Sequence, residues 1–267
     1  GDLIREAAAQ GAQFVSTPEN TTQIEPDKAR VLALAQPEAN HAAIPAFSAL
    51  AAELKIWLLI GSLTVKAGET KCWNRSYLFA PDGAIAARYD KVHMFDVEVG
   101  DGQTYRESRN FEAGSQPVLA DLPWGRLGLT ICYDIRFAYL YRTLAQAGAE
   151  ILTAPAAFTE VTGQAHWHVL QRARAIENGA FVISAAQGGE HEDGRETYGH
   201  SLVVDPWGRV LAEADGDEPG IVLAEIDPAE SAKARAKVPN LKNAREFELD
   251  EVAPASGQSE SQERAAS

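Results

Sequence analysis

Cysteine is scarce in this chain. Only Cys72 and Cys132 occur in 267 residues, so there is no framework of bridges to hold a small secreted scaffold, although a single Cys72 to Cys132 bridge fits the count. Positive charge is also in short supply: 24 Lys and Arg face 38 Asp and Glu, a net charge of −14. Nucleic acid and anionic membrane surfaces call for the opposite balance. Long apolar runs are missing, Ile56 to Ile60 being representative, whereas a bilayer needs about 20 residues. The opening Gly-Asp-Leu-Ile-Arg-Glu has neither the basic start nor the apolar stretch of a secretory signal. Neither Gly-x-Gly-x-x-Gly nor a P-loop is present, so no nucleotide cofactor is indicated. Metal-ligand spacings are lacking too: there is no Cys-x-x-Cys or His-x-x-x-His, and His166 and His168 point to different faces of a predicted helix. These absences together predict a cytoplasmic protein without cofactor or metal and with no nucleic-acid or membrane partner.

What is present is ample core material, 45% apolar residues, and an alternation of helical periods with short β-rich runs. That is the pattern of an α/β protein in one domain, residues 1–250. Helices are expected at Leu3 to Gln10, about Ala42 to Leu54, about Tyr139 to Ala147, and Gln164 to Asn178, the last with Val169, Leu170, Ala173 and Ile176 on one face. Strands are expected at Gln13 to Thr17, Ile56 to Ser62, Gly125 to Ile131, Glu150 to Pro155, Phe181 to Ala185, Tyr198 to Val204 and Ile221 to Ile226. Trp73 to Ala80 and Ala84 to Asp90 flank the turn Pro81-Asp82-Gly83 as a hairpin, which inside an alternating chain makes the sheets mixed. A polar loop is expected to run through Asp27. The stretch 251–267 is rich in Ser, Gln, Glu and Ala and is expected to be disordered.

Cys132 stands where an apolar strand ends and the chain turns toward a helix. There a thiol is presented at the carboxyl edge of a sheet, with turn N–H groups that lower its pKa and can bind an oxyanion. A small buried core residue is the alternative reading. Glu19, in Thr17-Pro18-Glu19-Asn20, also follows a strand and could take a proton from a thiol; a loop acid or helix cap is the alternative. Lys91, at the end of the hairpin, could stabilise a developing oxyanion or could be an ordinary solvated lysine.

In order, the blocks Thr17-Pro18-Glu19-Asn20, Tyr89-Asp90-Lys91-Val92-His93-Met94-Phe95-Asp96 and Gly128-Leu129-Thr130-Ile131-Cys132-Tyr133-Asp134-Ile135-Arg136-Phe137 resemble the nitrilase, or carbon-nitrogen hydrolase, superfamily. Pro155-Ala156-Ala157-Phe158, Thr162 to Trp167, Arg172 to Asn178, Tyr198-Gly199-His200-Ser201 and Asp205-Pro206-Trp207-Gly208 extend the resemblance over nearly the whole chain. The branch it is most similar to is that of deaminated-glutathione amidases and omega-amidases. The resemblance implies an α-β-β-α sandwich, with Cys132 as nucleophile, Glu19 as general base, Lys91 as oxyanion-stabilising lysine, and Glu107 as a second glutamate orienting the lysine. It also implies that the Tyr133 N–H completes an oxyanion hole, that no cofactor is used, and that subunits pair through helices as a homodimer or larger homo-oligomer. Arg136, Arg195 and His168 are candidates for a substrate carboxylate and Phe158 for the pocket wall. By this comparison the first strand is expected to be missing, and Ala138-Tyr139-Leu140 and His168 replace Pro-Glu-Leu and Glu. The implied reaction is hydrolysis of a small carboxylate-bearing amide through a thioester. Alternatives are N-carbamoyl amino acid or nitrile hydrolysis, and a catalytically silent scaffold.

Overall fold

The structure is a computed structural model that describes residues 1–251 except positions 26, 101, 193 and 217. The tail expected to be disordered therefore lies, from 252 onward, outside the described residues. The first half of the chain forms α1 (Asp2–Ala9), β1 (Phe14–Ser16), α2 (Lys28–Leu34), α3 (Ala43–Leu54), β2 (Trp57–Lys66), β3 (Cys72–Phe79) and β4 (Ile85–Asp90). Short strands β5 (Asp96–Glu98), β6 (Thr104–Arg106) and β7 (Phe111–Glu112) follow, then β8 (Val118–Leu122) and β9 (Gly125–Leu129). The second half adds α4 (Ala138–Gln146), β10 (Ile151–Thr153), α5 (Glu160–Asn178), β11 (Phe181–Ser184), β12 (Gly188–Glu190), β13 (Glu196–Tyr198), β14 (Leu202–Val204), β15 (Val210–Glu213) and α6 (Ala229–Lys237).

Two mixed sheets stack face to face. One runs β1-β2-β3-β4 with β7 beside the start of β3; the other runs β15-β14-β11-β10-β9-β8. Strands β9, β10 and β11 are parallel, whereas β8, β14 and β15 join antiparallel. Side-chain alternation sorts the layers. Leu59 and Leu78 point into the core shared with the second sheet, while Leu58, Ile60, Tyr77 and Phe79 pack outward against Ile4, Ile44 and Leu50 of α1 and α3. On the far side, Leu140, Tyr141 and Leu144 of α4 and Trp167 and Ala175 of α5 cover the second sheet. The result is the α-β-β-α sandwich. Strands buried on both faces explain why Trp57-Leu58-Leu59-Ile60 reads as a continuous apolar run. At the hairpin, Asp82 Oδ1 accepts from Ala84 N at 2.9 Å and Gly83 takes φ 84°.

Several expectations are corrected. The loop through Asp27 leads into an unforeseen helix, α2, whose first turn is capped by Asp27 accepting from Arg30 N at 2.8 Å. Tyr198 to Val204 is not one strand, because Gly199 and His200 adopt left-handed φ of 67° and 54° and break the ladder between β13 and β14. Ile221 to Ile226 belongs to no strand and borders a broad cavity shared with β1 and α1. Extended backbone becomes a strand only where a neighbour takes its N–H and C=O groups. The apolar face read on α5 is split: Val169 is 68% and Ile176 53% exposed, while Leu170 packs partly buried against the core and Ala173 is half-buried. The buried face carries Thr162, Trp167, Gln171, Arg174 and Asn178 instead. Each keeps at least one polar bond, Gln171 Oε1 accepting from Ser184 Oγ at 2.8 Å and Arg174 Nε donating to Ile135 O at 2.7 Å, although Gln171 Nε2 and Asn178 Oδ1 are buried without a partner. Both cysteines are free and buried, without a bridge between them.

Candidate active site

Glu19 reaches the interior because β2 yields space to the turn after β1. A Cβ on Gly61 would sit 2.1 Å from Thr17 O and 2.4 Å from Pro18 O, so only glycine lets the Thr17-Pro18-Glu19 backbone lie this close. Thr17 Oγ1 accepts from Gly61 N at 3.0 Å, and Asn20, in the left-handed region at φ 56°, donates its N–H to Ser62 Oγ at 2.8 Å. Lys91 leaves β4 with its N–H donating to Asn74 O at 3.0 Å. Cys132 opens a 3-10 turn, Cys132–Arg136, at φ 46°, a strained value for a side chain of its kind. The strain is held by Cys132 N donating to Pro155 O at 2.9 Å and by Asp134, whose Oδ2 accepts from Ile131 N at 2.9 Å and from Tyr89 Oη at 2.7 Å.

These elements converge on one buried cluster. Lys91 Nζ donates to Glu19 Oε1 at 2.8 Å and to both Glu107 oxygens at 3.0 and 2.9 Å. Asn74 Nδ2 bridges the carboxylates, 2.9 Å from Glu19 Oε1 and 3.0 Å from Glu107 Oε1. Backbone donors complete the set: Ala157 N to Glu19 Oε2 at 2.9 Å and Phe95 N to Glu107 Oε2 at 2.7 Å. Glu19 and Cys132 line the same cavity. Glu19 and Lys91 are 3% and 2% exposed, a depth at which an unpaired charge would be very costly.

The environment separates the two protonation sites. Burial is the largest influence on Glu19 and raises its pKa, but Lys91, the thiol and Asn74 together outweigh it, so the carboxyl lies below its ordinary value. Burial likewise opposes the Lys91 charge, and Glu107, Glu19 and Cys132 overcome it, holding the ammonium well above its ordinary range. The Cys132 thiol is pushed well up, first by burial and then by the Glu19 charge, against the opposing pull of Lys91 and the Ala157 N–H. The expectation that turn N–H groups lower this pKa is thereby corrected: desolvation and an adjacent carboxylate win. The resting pair is a thiol beside a carboxylate.

Above the cluster opens a cavity of about 200 Å³ whose walls include Tyr133, Phe158 and Arg195. Arg136 is not among its lining residues; its guanidinium lies over the rings of Phe158 and Tyr133, 5.2 and 5.9 Å from their centroids. His168 is not in the wall either, and its Nε2 pairs with Glu213 Oε1 at 2.6 Å. Sequence reasoning missed Asn74 and Asp134. The signal for Asn74 was available, since it falls in register with Cys72, Ser76 and Leu78 on a buried strand face, where a polar side chain needs a partner.

Over residues 1–236 the sequence matches the carbon-nitrogen hydrolase family model. The chain belongs to the carbon-nitrogen hydrolase family. Among relatives of this hydrolase, the deaminated glutathione amidase of Synechocystis sp. is 44% identical over 247 residues, 91% of this chain and 89% of that protein. The omega-amidase of Homo sapiens is 40% identical over 238 residues, 89% of this chain and 84% of that protein. The crystal structure of the C. elegans NitFhit protein superposes with a TM-score of 0.84 at 38% identity, covering 91% of this hydrolase and 60% of that longer chain. Among the described residues, no helix of the hydrolase is long and apolar enough to cross a membrane.

Proposed function

We propose that this carbon-nitrogen hydrolase is an amidase that releases ammonia from a small, carboxylate-bearing amide through a thioester on Cys132. The observation that carries the reading is the buried Glu19, Lys91, Glu107 and Cys132 cluster under a cavity of small-molecule size. In the first half-reaction the Cys132 sulfur bonds to the amide carbon while Glu19 takes the thiol proton. Charge develops on the carbonyl oxygen, and the Lys91 ammonium and the Tyr133 N–H stabilise it. Glu19 passes its proton to the leaving nitrogen, the C–N bond breaks and ammonia departs. In the second half a water attacks the thioester carbon, Glu19 accepts its proton and returns it to the sulfur, and the acid leaves. Glu107 keeps the Lys91 charge in place through both halves. No redox or electron-transfer step is involved.

Relatives named deaminated glutathione amidase and omega-amidase favour an amide over a carbamoyl or nitrile substrate and favour an enzyme over a silent scaffold. Deaminated glutathione and the omega-amide of a keto acid are the substrates we assign. Arg195 in the cavity wall supplies a cation for their carboxylate, and Arg136 supports the wall from behind. The exposed apolar side chains of α5 support a homodimer built on Val169 and Ile176. Two free buried thiols fit a reducing, cytoplasmic setting.

Mass spectrometry of the protein mixed with these amides tests the reaction. The expected result is an acyl adduct on the peptide containing Cys132, ammonia release without carbon dioxide, and loss of both in Cys132→Ala. Equal activity of wild type and Cys132→Ala would overturn it, and carbon dioxide released with the ammonia would move the assignment to carbamoyl substrates.

A further inference from the structure

Absent local spacings argued against a metal, yet the fold brings together residues that no local motif could link. His168 on α5, His200 in the break between β13 and β14, and Glu213 at the end of β15 place one ligand atom each within 4.8 Å of one another. His168 Nε2 lies 2.6 Å and His200 Nδ1 3.0 Å from the same oxygen, Glu213 Oε1. We propose that these three side chains form a binding site for a divalent transition-metal ion of the zinc and cobalt class, separate from the Cys132 cavity.

The donor chemistry fits. Two imidazoles and one carboxylate form a set that Zn²⁺ takes with water in the remaining position. Metal–nitrogen bonds of about 2.0–2.1 Å in a tetrahedron put neighbouring ligand atoms on the order of 3.3 Å apart. The present separations from Glu213 lie within about 1 Å of that value, and all three ligand atoms lie within 4.8 Å of one another. An entering ion takes the lone pairs of His168 Nε2 and His200 Nδ1, leaving each ring proton on the opposite nitrogen, and replaces the two hydrogen bonds to the carboxylate.

The set is also held in place. His200 has a left-handed backbone at φ 54°, its carbonyl accepts from Trp167 Nε1 at 2.9 Å, and its ring stacks on Tyr198 at 4.2 Å. A Cβ at position 216 would lie 3.0 Å from His200 Nε2, so Gly216 leaves the room this ring occupies. His168 meets the same Tyr198 ring edge-on at 6.0 Å. Side-chain exposures of 34%, 27% and 31% for His168, His200 and Glu213 leave the site open to an ion from solvent. Metal here would clip α5 to the β14–β15 hairpin.

The full chain carrying Cys132→Ala, which removes the competing thiol, should be titrated with Co²⁺ and followed by visible absorption, with Zn²⁺ competition. One Co²⁺ per chain, with ligand-field bands and no sulfur charge-transfer band, is expected. His168→Ala and Glu213→Gln, each added to that background, should weaken binding at least about 100-fold while circular dichroism without metal stays unchanged. His200 is left intact because its backbone is strained. Absence of saturable binding, or binding unaltered by both substitutions, would overturn the proposal. Amide turnover by the wild-type protein is read separately and bears only on the Cys132 reaction.

Discussion

Cys132 and Glu19 illustrate how a pair of residues is tuned by what surrounds them. The thiol is raised by burial and by Glu19, while the carboxyl is kept low by Lys91, so the proton rests on sulfur until a substrate arrives. Removing the Glu19 charge leaves Lys91 facing the thiol with less opposition. In Glu19→Gln the alkylation of Cys132 by iodoacetamide should therefore titrate at lower pH than in wild type, while amide turnover falls by at least about 100-fold through loss of the general base. A higher alkylation pKa in the variant would contradict the charge assignment. Gly61 acts by being small: an added Cβ would lie 2.1 Å from Thr17 O. Gly61→Ala should displace the Glu19 backbone and lower kcat about 100-fold, the scale of an ångström-sized misplacement. Steady-state kinetics on folded variant protein checks this, and KM moving alone would argue against it.

At the level of elements, α5 shows how burial can contradict the apolar pattern. Its helical period is plain in the sequence, but Trp167, Gln171, Arg174 and Asn178 are buried, Trp167 donating to His200 O, Gln171 accepting from Ser184, Arg174 donating to Ile135 O and Asn178 donating back to Arg174 O. Gly163 makes that contact possible, since its Cβ would fall 2.2 Å from Tyr198 Cβ on β13. Alanine for glycine inside a helix ordinarily gains about 1 kcal/mol. Here the sign reverses, and Gly163→Ala should cost about 1–3 kcal/mol by overpacking, read from chemical denaturation at fixed m-value. A stabilised variant would mean that α5 stands farther from β13 than described. The sequence around Gly163 carries no sign of this, because a close approach between elements distant in sequence leaves no local mark.

For the whole molecule, the buried Lys91 with its two carboxylates couples stability to pH. Glu19 has a lowered pKa, so its contribution is present above its unfolded-state value and is lost as pH falls through the folded one. Lys91 has a raised pKa, so its contribution is present below the unfolded value and is lost as pH rises through the folded one. Lys91→Met strands both carboxylates, at a cost of about 3–5 kcal/mol at neutral pH, and should raise the Glu19 pKa by removing the Lys91 charge that lowers it. The variant's Tm should then increase from pH 7 to pH 5 relative to wild type; parallel curves would refute the coupling. The proposed homodimer is tested by light scattering on Val169→Asp combined with Ile176→Asp. These substitutions should yield monomer, and an unchanged mass would move the interface elsewhere.

Local patterns along the chain carried most of the elements and the candidates for chemistry, and the family resemblance carried the layers. Period-two and period-3.6 patterns, with Gly and Asp at turns, are local, and they place the hairpin before Lys91 and the strand before Cys132 close to where β4 and β9 end. The ordered blocks around Glu19, Lys91 and Cys132 carried the family resemblance for the same local reason. Tertiary structure decided what depends on residues far apart in the chain. The bridging of Glu19 and Glu107 by Asn74, the upward shift of the Cys132 thiol, and the outward turn of Val169 all arise from desolvation and from partners supplied by other elements. So does the meeting of His168, His200 and Glu213, which no spacing rule could anticipate. Hydrogen bonds and electric fields act through space, and only the packed sandwich sets those distances.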